Sequence, residues 1–231
     1  MTCARTGPMA HTRLVKRLAV LVGLVLGLAI TAPAHAQPLP VTYRVDTKDP
    51  VVFITIDDGI ITPTGALAYV EKHRIPITSF LTSSQVTKSK ARYFRRISQW
   101  GSVQNHTTTH ASLATSDAGL IKRQVCPVQG DYRRTFGEKP WMLRPPYGAG
   151  PSGWTLQSVV KRCGITEILM WDTVVDQGRL TSRYGDGLQP GSVILLHYTG
   201  NLETDLKVAV RAAKARGLRP ANLADYLITP R

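Results

Sequence analysis

A repeated alternation of short apolar runs with amphipathic stretches constrains the fold more than any other feature of this chain. The first run, VVFITI at residues 51–56, is apolar throughout and rich in β-branched side chains, as expected of a strand covered on both faces. The next stretch, TGALAYVEKHR at residues 64–74, has the spacing of a short helix. Because the alternation continues along the chain, we predict an α/β fold whose parallel strands end at one common rim.

The same pattern predicts the remaining elements. The later predicted strands are ITSFL at 77–81, SVQN at 102–105, WMLR at 141–144, EILMW at 167–171 and SVILLH at 192–197. The later predicted helices are residues 89–100, closed by Gly101 in left-handed geometry, a region after Thr115 that Pro127 interrupts, and residues 203–217. The sequence contains no internal repeat, so we expect one domain.

Residues 1–36 have the organisation of a secretory signal peptide. Four basic residues and no acid precede LAVLVGLVLGLAI at residues 18–30, and Ala-His-Ala at 34–36 forms a small-residue cleavage pattern. The apolar run is shorter than the roughly 18 to 20 residues that span a bilayer, although an uncleaved anchor is the alternative. We therefore predict an extended lead-in at 37–49, a folded domain at 50–231, no stable membrane insertion after cleavage, and an extracellular or cell-wall location.

The charge of the chain points to an anionic neighbour. The sequence has 29 Lys and Arg against 15 Asp and Glu, a net charge of +14, and removal of the four basic residues before Leu18 leaves 25 − 15 = +10. The basic residues are scattered and no nucleic-acid-binding module is recognisable, so we predict no nucleic-acid partner. An acidic cell wall or polysaccharide is the expected surrounding.

Two cysteines, Cys126 and Cys163, remain after the signal peptide. In an oxidising compartment an even pair favours one disulfide, and two unpaired buried thiols are the alternative. Their spacing has no metal-binding signature.

Two adjacent acids, Asp57 and Asp58, end the first predicted strand. Neighbouring side chains of a regular strand point to opposite faces, so both could serve one site only if the chain turns there. Gly59 allows such a turn, although Asp-Gly is also a common dipeptide of ordinary tight turns.

Three other segments carry chemistry. His106 and His110 in HTTTH are four residues apart, a spacing that lets two imidazoles meet one metal ion, and a carboxylate as third ligand would leave a position open for water or substrate. Arg144 in RPPYG could hold a carboxylate, while the stiff loop after it could aim a backbone N–H at an oxyanion. His197 ends a predicted strand and suits a general acid. Each segment alone is also compatible with a purely structural role.

Together and in this order, TIDDG, HTTTH, RPPYG and LLH resemble the motifs of the polysaccharide deacetylase family, the NodB-homology esterases that remove N- or O-acetyl groups from carbohydrates. The resemblance runs from about Val51 to Leu227. It implies a distorted (β/α) barrel, an acetylated polysaccharide as substrate, and one divalent metal ion, usually Zn²⁺, with Co²⁺ or another divalent ion as alternatives.

The resemblance also assigns roles by position. The metal ligands would be Asp58, His106 and His110. Asp57 would be the general base that takes a proton from the attacking water, with Arg144 paired to it. The other implied roles are the oxyanion donor at the N–H of Tyr147, the general acid at His197 and the wall of the acetyl pocket at Leu195.

One motif departs from the family. The family's Asp-x-x-Asp-Trp corresponds here to MWDTVVDQG, where Asp172 and Asp176 are one residue too far apart and Gln177 stands in place of the tryptophan. We favour Asp172 over Asp176 as the acid that supports His197, because Asp172 directly follows a predicted strand. Trp171 or Trp141 would then replace the missing pocket wall.

The sequence therefore predicts a secreted, monomeric, metal-dependent deacetylase of peptidoglycan, a chitin-like polymer or xylan, with residues 50–231 as its catalytic domain. A catalytically weak or inactive carbohydrate-binding member of the same fold is the alternative. A glycoside hydrolase is disfavoured, since that chemistry needs two carboxyl groups roughly 5 to 9 Å apart across a sugar rather than adjacent acids beside a histidine pair.

Overall fold

The computed structural model describes residues 1–2, 4, 37–115, 117–183, 185 and 187–227. The chain divides between residues 36 and 37, and the predicted signal peptide lies almost entirely outside the described residues. Among the helices that are described, none combines the length and the apolar character needed to cross a membrane.

One curled, mostly parallel sheet forms the centre of the domain. The described strands are β1 (Val41–Thr42), β2 (Val51–Asp58), β3 (Ile77–Leu81), β4 (Ser102–Asn105), β5 (Met142–Leu143), β6 (Glu167–Leu169), β7 (Thr173–Asp176), β8 (Arg179–Ser182), β9 (Val193–His197) and β10 (Arg219–Pro220). Their order is β1-β6-β5-β4-β3-β2-β9-β7-β8, with β10 also beside β2. The β7–β8 pair is antiparallel and the other strand pairs are parallel. The predicted α/β class is thus confirmed.

Five α-helices are described around this sheet: α1 (Thr64–His73), α2 (Lys88–Ile97), α3 (Ala118–Phe136), α4 (Trp154–Arg162) and α5 (Leu202–Ala215). The predicted helices at 64–74, 89–100 and 203–217 are confirmed within a few residues. Helix α4 and the β7–β8 hairpin were not predicted.

The predicted interruption at Pro127 is wrong, because α3 continues through this residue. Proline has no N–H, so the carbonyl oxygen of Arg123, four residues earlier, loses its helical donor. A contact from outside the helix compensates in part: the hydroxyl of Thr108, which donates to Gln124 O at 3.0 Å, also lies 3.4 Å from Arg123 O.

Strand β2 determines where the polar residues of the site are placed. Val52, Ile54 and Ile56 belong to the core cluster under the helices, whereas Phe53 belongs to the cluster on the concave side of the sheet. Side chains alternate along a strand, so Asp57 lies on the concave side with Phe53. Because β2 has β3 and β9 as parallel neighbours, the carboxyl ends of these strands meet at one rim.

Two features fasten the periphery of the domain. The segment predicted as an extended lead-in contributes β1, which pairs with β6, and Arg44 forms an antiparallel bridge with Ser192. Cys126 of α3 is joined to Cys163, just beyond α4, with 4.9 Å between their Cα atoms. Closing a 37-residue separation in this way corresponds to about 4 kcal/mol in the chain-entropy description of disulfides.

Candidate active site

The two acids of TIDDG face the same site because the chain turns sharply at the end of β2. Asp58 has φ +79° and Gly59 has φ +85°. Left-handed geometry costs a non-glycine residue roughly 1 kcal/mol or more, and it is concentrated at functional sites. It removes the strict alternation that would otherwise turn Asp58 away from Asp57.

Asp58, His106 and His110 form a cluster suited to a metal ion. Asp58 Oδ1 lies 3.4 Å from His106 Nε2 and 3.2 Å from His110 Nε2, and one ligand atom from each residue lies within 4.8 Å of the others. Asp58 Oδ1 is buried and receives no conventional hydrogen bond from the described residues. Two imidazoles and one carboxylate are a donor set that Zn²⁺ accepts while keeping a position open.

The surroundings of His106 and His110 favour metal binding by both imidazoles. His106 Nδ1 lies 2.7 Å from the carbonyl oxygen of Arg144, and donation of the ring N–H to that oxygen leaves the lone pair of Nε2 facing the cluster. Burial, with a further contribution from His106, lowers the pKa of His110, which favours the neutral form that binds metals. Burial opposes ionisation of Asp58, but the interaction with the ring of His106 outweighs it, and the pKa of Asp58 lies below its usual value.

Arg144 is fully buried, and its guanidinium donates four hydrogen bonds. Burial lowers the pKa of Arg144 and the charge of Asp57 offsets part of this effect, while a guanidinium stays charged in proteins. Its cation also lies 4.3 Å from the ring centre of Phe80. The acceptors are Asp57 Oδ1 at 2.7 Å, Thr55 Oγ1 at 2.9 Å, Met170 O at 2.9 Å and Leu169 O at 3.0 Å.

This arrangement gives the two oxygens of Asp57 different surroundings. Oδ1 accepts the hydrogen bond from Arg144, whereas Oδ2 lies 3.8 Å from His106 Nε2, on the side of the metal-binding cluster. Asp57 therefore has a charged partner on one side and an oxygen directed to the cluster on the other. A carboxylate so placed can accept a proton from water held at the cluster.

His197 lies beside Asp57, because the two residues are register partners in the β2–β9 pair. His197 is only partly buried. Leu195, two residues earlier, shares its side of the strand and is buried, below the level of the site.

Tyr147 borders the cluster from the loop after β5. Its φ is +62°, its ring is largely exposed, and the ring centre lies 4.7 Å from that of His110. Beside it is a cavity of about 380 Å³ whose lining includes Tyr43, Trp171 and Arg183. Trp171, predicted as a pocket wall, is thus brought next to Tyr147. Trp141 is not among the residues that line this cavity. It precedes β5, where its backbone N–H donates to Gln104 Oε1.

The structure does not bring Asp172 to His197, which corrects the prediction for this acid. The N–H of Asp172 donates to Val193 O, and its Oδ2 accepts from the hydroxyl of Ser192. Both partners lie at the start of β9, whereas His197 is four residues beyond Val193, about 13 Å along the strand. Burial raises the pKa of Asp172, and the Ser192 hydroxyl only partly opposes this.

The departure of MWDTVVDQG from the family motif has a structural reason. The segment forms β7 and the turn into β8, and the two central residues of the turn, Gln177 and Gly178, have φ +49° and +77°. Two successive positive φ values are the signature of a type I′ hairpin turn. Gln177 therefore serves the turn at the position where the family has its tryptophan.

Sequence reasoning missed two polar residues near the site. Thr55 bridges Arg144 and Ile194 O, and the alternation along β2 could have revealed it, since Thr55 shares a face with Asp57. Asp205 of α5 is 1% exposed and accepts a hydrogen bond from Gly178 N at 2.6 Å. An acid in the first turn of a helix looks like ordinary helix-dipole chemistry, so no local signal marked it.

Comparison with known proteins agrees with this architecture. An uncharacterized protein of Streptomyces coelicolor is 32% identical over 194 residues, which is 81% of this chain and 77% of the relative. A peptidoglycan-N-acetylglucosamine deacetylase of Listeria monocytogenes is 24% identical over 155 residues, 63% of this chain. The aligned part spans about a third of that relative's length, 32%.

Among solved structures, a pseudoenzyme of carbohydrate esterase family 4 from Bacillus anthracis has the same fold, with TM-score 0.68 and 19% identity over 82% of this chain and 69% of the other. This likeness bears out the predicted barrel-like architecture. The polysaccharide deacetylase family model matches residues 44–168, more than half of the chain. The chain therefore belongs to the polysaccharide deacetylase family.

Proposed function

We propose that this protein is a secreted, metal-dependent hydrolase that removes acetyl groups from a cell-wall polysaccharide, with peptidoglycan as the first candidate. The observation that carries the proposal is the juxtaposition of two units at one rim. One is the metal-binding cluster of Asp58, His106 and His110, and the other is the buried Asp57–Arg144 pair. Residues 1–36 would be the cleaved signal peptide and residues 50–231 the catalytic domain.

The metal-binding cluster fits a divalent ion, most plainly Zn²⁺, on the chemistry of its donors. Two imidazoles and a carboxylate converge, and the carboxylate oxygen between them has no conventional hydrogen-bond donor among the described residues. When bound, the ion would supply Lewis-acid polarisation of the acetyl carbonyl and make water more acidic.

The chain's own residues would handle the protons. Asp57 would accept a proton from the attacking water at Oδ2, since Arg144 occupies Oδ1. The backbone N–H of Tyr147 would donate to the oxyanion that develops from the acetyl group. His197, beside Asp57 in the sheet register, would protonate the departing amine or alcohol.

Support for a wall polysaccharide comes from the relatives and from charge. The Listeria relative acts on peptidoglycan N-acetylglucosamine by its name, and another, from Sinorhizobium fredii, is a chitooligosaccharide deacetylase. The net charge of +10 that remains after removal of residues 1–36 favours an encounter with an anionic wall polymer over neutral chitin or xylan.

Acetate release from a substrate panel tests the proposal. The purified protein is incubated with peptidoglycan, chitin oligomers and acetylxylan, then treated with a chelator and resupplied with Zn²⁺. Release from peptidoglycan that disappears with the chelator and returns with Zn²⁺ is the expected result. Activity on acetylxylan alone would exclude the wall substrate, and activity that resists the chelator would exclude the metal.

Replacing Asp57 by Asn separates the two acids of TIDDG. The amide oxygen of the Asp57→Asn protein can still accept the hydrogen bond of Arg144, but the amide cannot take a proton, so we expect turnover to fall about a thousandfold while zinc binding persists. Acetate release and zinc titration measure the two properties. His110→Ala is the control that should lose zinc. Loss of zinc in the Asp57→Asn protein would show that the two acids have been exchanged.

A second candidate is a binding protein without turnover. It is favoured by the missing family acid beside His197 and by the likeness in fold to a pseudoenzyme. Zinc binding and retention on peptidoglycan, with no acetate released from any member of the panel, would support this candidate instead.

A further inference from the structure

We propose that α3 is a positioning element of the metal-binding cluster, and that Thr108 and Gln124 are the positioning residues through which it holds the loop of His106 and His110. This inference rests on the proposed metal ligation by Asp58, His106 and His110. It adds two residues that carry neither a ligand atom nor a proton for the reaction.

The loop at residues 106–110 needs an external support. Thr107 and His110 have φ values of +71° and +62°, although neither is glycine. Such conformations cost of order 1 kcal/mol or more each and persist only where surrounding contacts fix them. Without those contacts, the ring of His110 would not be held beside Asp58.

One support passes through Asn105, which is fully buried. Its Nδ2 donates to Val125 O of α3 at 3.0 Å, and its Oδ1 accepts from Thr107 N at 2.8 Å. The hydroxyl of Thr107 in turn accepts from His110 N at 3.0 Å. These three hydrogen bonds form a continuous path from the helix backbone to the backbone of a metal ligand.

The other support is a set of three hydrogen bonds at Gln124, the residue before Val125 in the same helix. The side chain of Gln124 accepts from Thr109 N at 3.0 Å and donates to Thr109 Oγ1 at 2.9 Å. The hydroxyl of Thr108 donates to the carbonyl oxygen of Gln124 at 3.0 Å. Two of the three residues between the histidines, Thr108 and Thr109, are thus bound to Gln124.

Pro127 leaves a second acceptor for Thr108 on the same helix. Because it offers no N–H, the carbonyl of Arg123 has no helical donor and lies 3.4 Å from the hydroxyl of Thr108. The helix is anchored beside this point by the disulfide at Cys126, and farther on by the hydroxyl of Tyr132, which donates to Leu81 O at 2.6 Å. Because the helix is held in place, the carbonyl oxygens of Arg123 and Gln124 are fixed acceptors for the loop.

Metal affinity measured separately from activity tests the inference. Thr108→Val removes the hydroxyl at nearly constant shape, Thr108→Ser restores it, and Gln124→Ala removes both contacts to Thr109. Zinc dissociation constants come from competition with a chromophoric chelator, and thermal unfolding of the metal-free proteins reports stability. Lys122→Ala is the control, because Lys122 is exposed on the same helix.

We expect Thr108→Val and Gln124→Ala to bind zinc about 10- to 100-fold more weakly, the range known for residues that orient metal ligands. Thr108→Ser and Lys122→Ala should match the unsubstituted protein, and metal-free unfolding temperatures should stay close together. Equal zinc affinity in all four variants overturns the inference while leaving the ligand assignment intact. If the unsubstituted protein binds no zinc, the ligand assignment falls and the inference falls with it.

Discussion

Asp57 and Asp58 show how adjacent identical side chains acquire different chemistry. Asp57 shares its buried position with a cation, Arg144, whereas Asp58 faces two imidazoles. Two neighbouring carboxylates resist joint ionisation unless positive groups compensate each of them. Here the compensation comes from different elements on either side, so one acid is suited to a metal ion and the other to a proton.

Asp205 is the acid that the structure offers to His197 in place of Asp172. Burial raises the pKa of Asp205, while the N–H groups of Gly178 and Gln177 and the positive charge of His197 act in the opposite direction. The carboxylate is thus buried, held by the hairpin turn and within electrostatic reach of His197. Asp176 is close enough to repel it but is itself exposed.

We therefore expect Asp205→Asn to lower kcat about tenfold, because the buried carboxylate of Asp205 interacts with His197 and would stabilise the positive charge that His197 carries as a general acid. Acetate release at saturating substrate measures this effect. The amide still accepts from Gly178, so the hairpin should remain.

Asp172→Asn and Asp176→Asn are the matched controls for this substitution. Each removes one negative charge from the segment that departs from the family motif, and neither should lower kcat to the same extent. A fall in kcat with Asp172→Asn and none with Asp205→Asn would restore the assignment made from the sequence.

Helices and strands follow the sequence wherever local chemistry determines them. The apolar runs at 51–56, 77–81 and 192–197 form β2, β3 and β9, because β-branched residues suit a sheet buried on both faces. Pro127 misled the prediction, since the hydroxyl that supports its helix comes from Thr108, 19 residues earlier. The hydrogen-bond partner of Asp205 is also distant in sequence. It is Gly178, in the turn of a hairpin that the sequence analysis did not predict.

Gly101 shows the same limit at the junction between α2 and β4. Sequence analysis assigned it a left-handed helix end, but α2 ends at Ile97 and Gly101 is not among the described glycines with positive φ. The reason for glycine is space, because a Cβ there would overlap the carbonyl oxygen of Ile77 and lie 2.6 Å from its carbon. The start of β3 passes directly against it.

Gly101→Ala should therefore destabilise the protein by about 3 kcal/mol, since the backbone of β3 must move to relieve the overlap. Gly200→Ala is the matched control, because a Cβ at Gly200 meets nothing within 4 Å and the change should stay within about 0.5 kcal/mol. Urea unfolding of the metal-free proteins at constant m-value gives both numbers. Equal urea midpoints for the two variants would contradict this prediction, since they would show that the backbone of β3 moves at no cost.

The overall fold of the domain was largely predictable from the sequence, because its central sheet is mostly parallel. Parallel strands deliver their carboxyl ends to one rim, so Asp57, His106, Arg144 and His197 had to converge once the strands were recognised. The hairpin of β7 and β8 could not be predicted in this way, because its strands are antiparallel. Its turn residues, Gln177 and Gly178, form the tight turn at the place of the family's Asp-x-x-Asp-Trp motif.

Charge acts over the full domain rather than at a single site. Residues 37–231 carry 25 basic and 15 acidic groups, a net +10. If the substrate is an anionic wall polymer, this charge speeds the encounter, and such steering is worth about 10-fold or more in association rate. The Debye length shrinks from about 10 Å at 0.1 M salt to about 3 Å at 1 M, so added salt removes the effect.

We therefore expect kcat/KM on soluble peptidoglycan fragments to fall about tenfold between 0.05 and 0.5 M NaCl, whereas kcat at saturating substrate stays constant. A neutral chitooligosaccharide is the matched substrate, and its kcat/KM should change less than about twofold, because it carries no charge for the basic surface to attract. Acetate release at each salt concentration gives both constants. A parallel decline on the two substrates would place the salt effect in the site, for instance on the exposed ring of Tyr147 or on His197, and not in long-range attraction. A flat response on both would mean that the positive charge of this domain has no part in reaching its substrate.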